Sequence, residues 1–207
     1  MLLYGFKRRI YVGVPNFFCY FVIYFIFLMS IISLVIYQEV ISTPNNQNFL
    51  AYDNPLTGIK IYYPSNWEKM EQGENNLRFS SPYESDLDSI RESLVINIQY
   101  LPFQNMFTLD EFVFDPEEGF IERAKRDLNN FQLIASDSMM VSNMPAYRLI
   151  FTETFMNEGV PHNLKEMFVF VSKNDLVYSI QYFAEPSNFN LYLPIVDKMI
   201  RSLQITR

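Results

Sequence analysis

The chain has 207 residues, 49% hydrophobic and 17% aromatic, which is too apolar for a disordered polypeptide and long enough for a membrane anchor plus one ordinary domain. Residues 1–37 carry three basic residues and no acids, so the remaining 13 basic and 23 acidic residues give the rest of the chain a net charge of −10. That balance disfavours nucleic acid or anionic lipid as the main partner, and a single cysteine, Cys19, excludes an intrachain disulfide.

Phe17 to Tyr37 is 21 residues without a charge. As a helix rising about 1.5 Å per residue it covers the roughly 30 Å hydrocarbon core of a bilayer. Lys7-Arg8-Arg9 precede it and Glu39 follows, so the positive-inside rule predicts a cytoplasmic N-terminus over residues 1–16 and a signal-anchor helix over 17–37. A cleaved signal peptide is the competing reading. Its apolar region would run about 7–15 residues, shorter than this one, and only Val40-Ile41-Ser42 resembles a cleavage site. Residues 38–48, polar and broken by Pro44, read as a linker. No Asn-x-Ser/Thr sequon occurs.

Residues 49–207 read as one extracytoplasmic domain. Asn54-Pro55 and Gly58 are turn residues, after which Ile59, Ile61 and Tyr63 alternate with Lys60 and Tyr62 as in a half-buried strand that stops at Pro64. Trp67, the only tryptophan, has a large ring to bury just beyond. Gln72 to Asn76 is a turn, Leu77–Ser81 a short strand and Ser93–Leu101 a longer one, with Leu94, Ile96, Ile98 and Tyr100 on one face. Thr108 starts a helix with Asp110 and Glu111 in its first turn. Pro116-Glu117-Glu118 starts a second, with Phe120, Ile121, Ala124 and Leu128 as its apolar stripe and Glu122 facing Arg126. Strands are then predicted over Phe131–Val141, Ala146–Phe155, Leu164–Ser172 and Leu176–Ala184, with turns at Asn143, Asn157-Glu158-Gly159 and Lys173-Asn174-Asp175. Ser187 is the expected cap of a closing helix with the stripe Val196, Met199, Ile200 and Leu203. Pro194 should mark its first turn or a kink.

This series resembles the PsbP family, named for the extrinsic protein of the photosystem II oxygen-evolving complex. The family's aromatic–turn–Gly–strand–Tyr-Pro–Trp pattern is matched by Tyr52, Gly58, Ile59–Tyr62, Tyr63-Pro64 and Trp67. Leu109–Phe112 is similar to its helix start, Met144-Pro145-Ala146-Tyr147 to the entry of its central hairpin, and Tyr192-Leu193-Pro194 with Lys198-Met199-Ile200 to its closing helix. The resemblance covers about residues 49–205 and looks nearest to the membrane-tethered PsbP-like proteins of archaea. It implies an α+β fold, an antiparallel β-sheet flanked by helices (an α/β/α sandwich, shared with the yeast Ran-GTPase release factor). It also implies a non-catalytic accessory or assembly role beside a membrane protein complex. The family's photosystem members have metal-associated histidines and an extended N-terminal region. This chain has one histidine and an apolar run in that place, so metal and photosystem roles are not implied.

Chemistry-bearing residues are sparse. His162 is expected in the turn 159–163 and reads as a solvated histidine. The acidic run Glu84-Ser85-Asp86-Leu87-Asp88 lacks EF-hand spacing and reads as a solvated loop before a calcium site. Glu117-Glu118 suits a helix N-terminus better than an acid/base pair. No zinc spacing, nucleophile motif or phosphate-cradling glycine loop is present. No catalytic, cofactor-binding or metal-ligating residue is therefore assigned, and no cofactor is expected. The mixed faces of the strands (Asn97, Gln99, Arg148, Thr152, Ser179, Gln181) are expected either beneath helices or on offer to a partner. The sequence thus points to a single-pass cell-membrane protein with an extracellular C-terminal domain. Its expected partner is a membrane protein complex. The alternative is a tethered binding protein for a small apolar or metal-bearing ligand.

Overall fold

The computed structural model describes residues 48–84, 90–100, 108–157 and 159–207. The chain divides between Asn46 and Gln47, and the unit Gln47–Arg207 holds every element described below. The expected cytoplasmic tail, the apolar run 17–37 and all but the last residue of the linker lie outside the described residues. Among those described, no helix is long and apolar enough to cross a membrane.

The opening hairpin pairs β1 (Phe49–Asn54) with β2 (Ile59–Pro64). Asn54 makes the turn. Its carbonyl accepts from the Gly58 N–H at 2.9 Å and its side-chain Oδ1 from the Leu56 N–H at 2.9 Å. Gly58 sits at φ +69°, and a Cβ there would come within 2.4 Å of the Arg207 Cβ, so both conformation and crowding require glycine. The crowding arises because the chain end returns as β10 (Gln204–Ile205) to pair with β2, giving a small sheet in the order β1-β2-β10.

The large sheet is antiparallel throughout, in the order β3-β4-β5-β9-β8-β7-β6. Its strands are β3 (Glu68–Glu71), β4 (Asn76–Ser80), β5 (Ser93–Tyr100), β6 (Gln132–Val141), β7 (Met144–Asn157), β8 (Val160–Lys173) and β9 (Leu176–Ala184). Ser142 and Asn143, both at positive φ, turn β6 into β7, and Asn174 does the same between β8 and β9. The alternation expected for β5 holds at Leu94, Ile96 and Ile98, whereas Tyr100 at its end is exposed. β1, β3 and β10 carry too few alternating apolar residues to be read as strands from the sequence.

Strand parity sends side chains to two covered faces. Val169 and Val171, with Ile96, Tyr178 and Ile180, meet helix α3 (Pro186–Ser202) and the small sheet, so Phe189, Val196, Met199, Ile200, Ile59 and Ile61 join one core. On the opposite face, Leu149, Phe170 and Val177 meet α1 (Leu109–Phe114) and α2 (Phe120–Asp127) through Val113, Phe112 and Phe120. Phe120 stands 4.7–4.8 Å from the rings of Phe168 and Phe170. Helices therefore flank the sheet on both sides. α1 starts as expected, with Thr108 and Glu111 forming a reciprocal capping box.

Three local expectations are corrected. The N-cap of α3 is Glu185, not Ser187, because Pro186 occupies the first turn where its missing N–H costs nothing. Pro194 lies inside the helix, which removes the first turn from its two expected roles. Glu122 pairs with Lys125 at 2.6 Å, while Arg126 turns back to Glu118.

Candidate functional site

α1 and α2 are short, and they cover only part of their face of the sheet. The remainder is floored by β3, β4, β9, β8 and β7 and forms an open cleft of about 630 Å³. Its two polar ends can be traced through the strand register.

At one end Arg78 projects from β4. Its Nε donates to Ser80 Oγ at 3.2 Å and Ser93 Oγ at 3.3 Å, its Nη2 donates to Ser93 Oγ at 3.1 Å, and the guanidinium carbon lies 5.2 Å from the centre of the Phe183 ring. Burial lowers its pKa, with the neighbouring Arg91 adding to the effect. Arg91 itself pairs with Glu68 at 2.6 Å and donates to the Ser81 carbonyl.

At the other end Glu166 of β8 is 3% exposed, and Gln181 Nε2 donates to its Oε2 at 2.9 Å. Its carboxyl also hydrogen-bonds that of Glu153 on β7, whose strand partner is Leu164. Burial first, then that shared bond, pushes the Glu166 pKa up to about 8. Glu166 therefore favours its protonated, neutral form. The sequence reading missed both Glu166 and Glu153. One signal was present: Leu164, Glu166, Phe168 and Phe170 share a parity, so an acid stands in an otherwise apolar row.

The edges of the large sheet are unlike one another. β3 is four residues long, three of them charged, with Lys69 bonded to Glu71 at 2.6 Å. β6 is ten residues long and contains neither lysine nor proline. Its one charge, Asp137, is tied to Arg148 at 2.8 Å. Leu133, Ile134 and Met140 on it are all more than 40% exposed, and the pairing with β7 is irregular between Leu133 and Ala135. β3 has the charged, short form that discourages strand addition; β6 does not.

His162 is on β8 opposite Phe155, not in a turn, because the hairpin reaches out to Asn157 and Val160. Of the acidic run, Glu84 accepts the Tyr192 hydroxyl at 2.7 Å, whereas residues 85–88 lie outside the described residues. The backbone N–H groups of Glu117 and Glu118 donate to Asp115 Oδ1, so this pair belongs to the turn before α2. The mixed strand positions do not form one surface. Asn97, Gln99, Ser179 and Gln181 share the α1–α2 face of the sheet, while Arg148 and Thr152 point to the α3 face. Among the described residues no group of three or more His, Cys, Asp or Glu side chains is placed to hold a metal.

Comparison with known proteins places this geometry. Residues 31–200 match the family model described as PsbP-like protein. A search of curated proteins finds no match. Among solved structures, cyanobacterial PsbP from Synechocystis is similar with a TM-score of 0.55 at 12% identity, covering 79% of this chain and 96% of that one. LpqN of Mycobacterium tuberculosis, involved in cell envelope biogenesis, is similar at 0.54 and 11% identity, covering 79% and 93%. A Pseudomonas aeruginosa protein of unknown function gives 0.52 at 17% identity, covering 75% and 95%. At such identities these three show a shared fold.

Proposed function

We propose that this chain, which belongs to the PsbP-like protein family, is a membrane-anchored, extracytoplasmic, non-catalytic module that supports or assembles a membrane protein complex. The observation that carries the reading is the β6 strand, ten residues long and at the edge of the large sheet among the described residues, beside exposed Leu133, Ile134 and Met140. An extended segment of a partner can add to such an edge, backbone hydrogen bonds supplying affinity and alternate side chains specificity. The uncharged run Phe17–Tyr37 supplies the anchor in this reading. Tethering to the same membrane raises the effective concentration of a membrane-borne partner, so a modest interface is sufficient.

The test is crosslinking in native membranes, with the full chain carrying a photoreactive residue at Ile134 or Met140. A defined membrane protein should be captured, and Ile134→Lys should abolish the capture while leaving the melting temperature of the domain within a few degrees of the parent. No capture from either position, or capture unaffected by the lysine, overturns the reading.

A further inference from the structure

The cleft beside α1 and α2 is independent of the β6 edge, and its chemistry is specific enough to name a ligand class. Consider first the cation. Two serine hydroxyls and the Phe183 ring fix the plane of the Arg78 guanidinium, yet no carboxylate among the described residues pairs with it, since Glu68 is engaged by Arg91. Its Nη1 makes no hydrogen bond to any described residue. A half-buried, pre-oriented guanidinium with an open edge matches a carboxylate, which it can bind through two parallel N–H donors.

Next consider the acids. Glu166 and Gln181 form the inner wall, and Glu153 sits half-buried at its margin. The two carboxyl groups lie against each other at this end, so their oxygens offer acceptors to an ammonium donor. Phe183 joins the two ends. Its backbone pairs with Ser93, which holds Arg78, and with Glu166. Two strand spacings separate Ser93 from Glu166, or about 10 Å. Phe155, Leu164 and Leu128 line the cleft as well, giving it apolar wall between its polar ends.

The overall charge selects among ligands. A domain that is net −10 from residue 38 onward repels a bare anion, whereas a molecule that is neutral overall meets no such field. We infer that the cleft binds a small elongated zwitterion, its carboxylate on Arg78, its apolar middle along Phe183 and its distal amine on Glu153 and Glu166. The inference rests on the cleft alone and stands whether or not the β6 edge has a partner.

The experiment is calorimetric titration of the full chain in a non-ionic detergent with 4-aminobutanoate, 6-aminohexanoate and 8-aminooctanoate. Hexanoate and hexylamine serve as single-ended controls. One of the two longer zwitterions should bind at least about tenfold tighter than either control, a difference of about 1.4 kcal/mol. Arg78→Gln should reduce that ligand to the affinity of hexylamine, and Glu153→Gln should reduce it to that of hexanoate. Arg78→Lys, which keeps the charge and loses the planar fork, should fall between, and it reports on the site even if the glutamine variant folds poorly. Near-ultraviolet circular dichroism of each variant confirms its packing. Absence of binding up to about 10 mM, equal affinity for zwitterions and controls, or an unchanged affinity in Arg78→Gln overturns the inference.

Discussion

Trp67 shows how much a single side chain contributes. It is 4% exposed just after β2, its backbone N–H donates to the Pro64 carbonyl, and its ring lies 6.2 Å from that of Tyr192 on α3. Truncation leaves a large cavity at the meeting of hairpin and helix, so Trp67→Ala should cost about 3–5 kcal/mol in a urea titration. An unchanged midpoint would show that the ring is not part of the core. Glu166 acts in the opposite sense. Its folded pKa is raised by burial, then by the bond to Glu153, to about 8. The folded state therefore keeps a proton that the unfolded chain releases near the ordinary glutamate range. The stabilisation from that proton is fully present below the unfolded pKa and is lost as pH rises through about 8. Glu153 is the acid that contacts it, and Glu68, Arg78 and Arg91 line the same cleft. Glu166→Gln keeps the shape without the ionisation, so the variant should gain on the parent between pH 5 and pH 8 by up to a few kcal/mol. Parallel urea titrations at the two pH values measure this, and an equal difference at both would refute it.

Among the elements, the β1–β2 hairpin depends on a residue far from it in sequence. Gly58 combines a positive φ with a backbone packed against Arg207, and its carbonyl accepts from the Thr206 N–H at 2.8 Å. Gly58→Ala should cost about 1–3 kcal/mol from the backbone conformation alone. It should also release the β10 strand, visible as faster amide exchange at Ile205 and Thr206; protection equal to the parent would show that the end of the chain is not held this way. The turn was legible from Asn54-Pro55 and Gly58, but the strand that closes on it was not, because two residues carry no periodic signal. Long strands such as β7, β8 and β9 were legible since apolar side chains alternate along them, and the helix stripe Val196–Leu203 was legible at its 3.6-residue spacing. The cleft was not. Arg78, Glu153, Glu166 and Gln181 are brought together by strand order β4-β5-β9-β8-β7, and an order set by non-local pairing leaves no mark in local periodicity. The same holds for the mixed positions, which local alternation assigns to a face of each strand but not to a common face of the sheet.

At the scale of the whole chain the decisive feature is an asymmetry of charge and apolarity. The three cations Lys7, Arg8 and Arg9 precede the uncharged run 17–37, and everything after it is net −10. Both sheets and all three helices of the described domain lie from Phe49 onward, within the unit Gln47–Arg207. The family match begins at residue 31 and runs to residue 200, so it takes in that domain with little of the preceding segment. In the proposed reading the apolar run retains the chain, the positive-inside rule holds the cationic flank on the cytoplasmic side, and the acidic domain is translocated. Protease added to intact cells or right-side-out vesicles should therefore degrade the domain, and an epitope placed at the N-terminus should survive until the membrane is broken. The apolar run should also keep the chain in the membrane pellet through a high-salt wash, which strips proteins held by surface charge alone. Full protection of the domain until lysis would invert the topology and place β6 and the cleft in the cytoplasm. Release of an intact domain into the medium would show instead that the run is cleaved, and would remove the tether on which the gain in effective concentration depends.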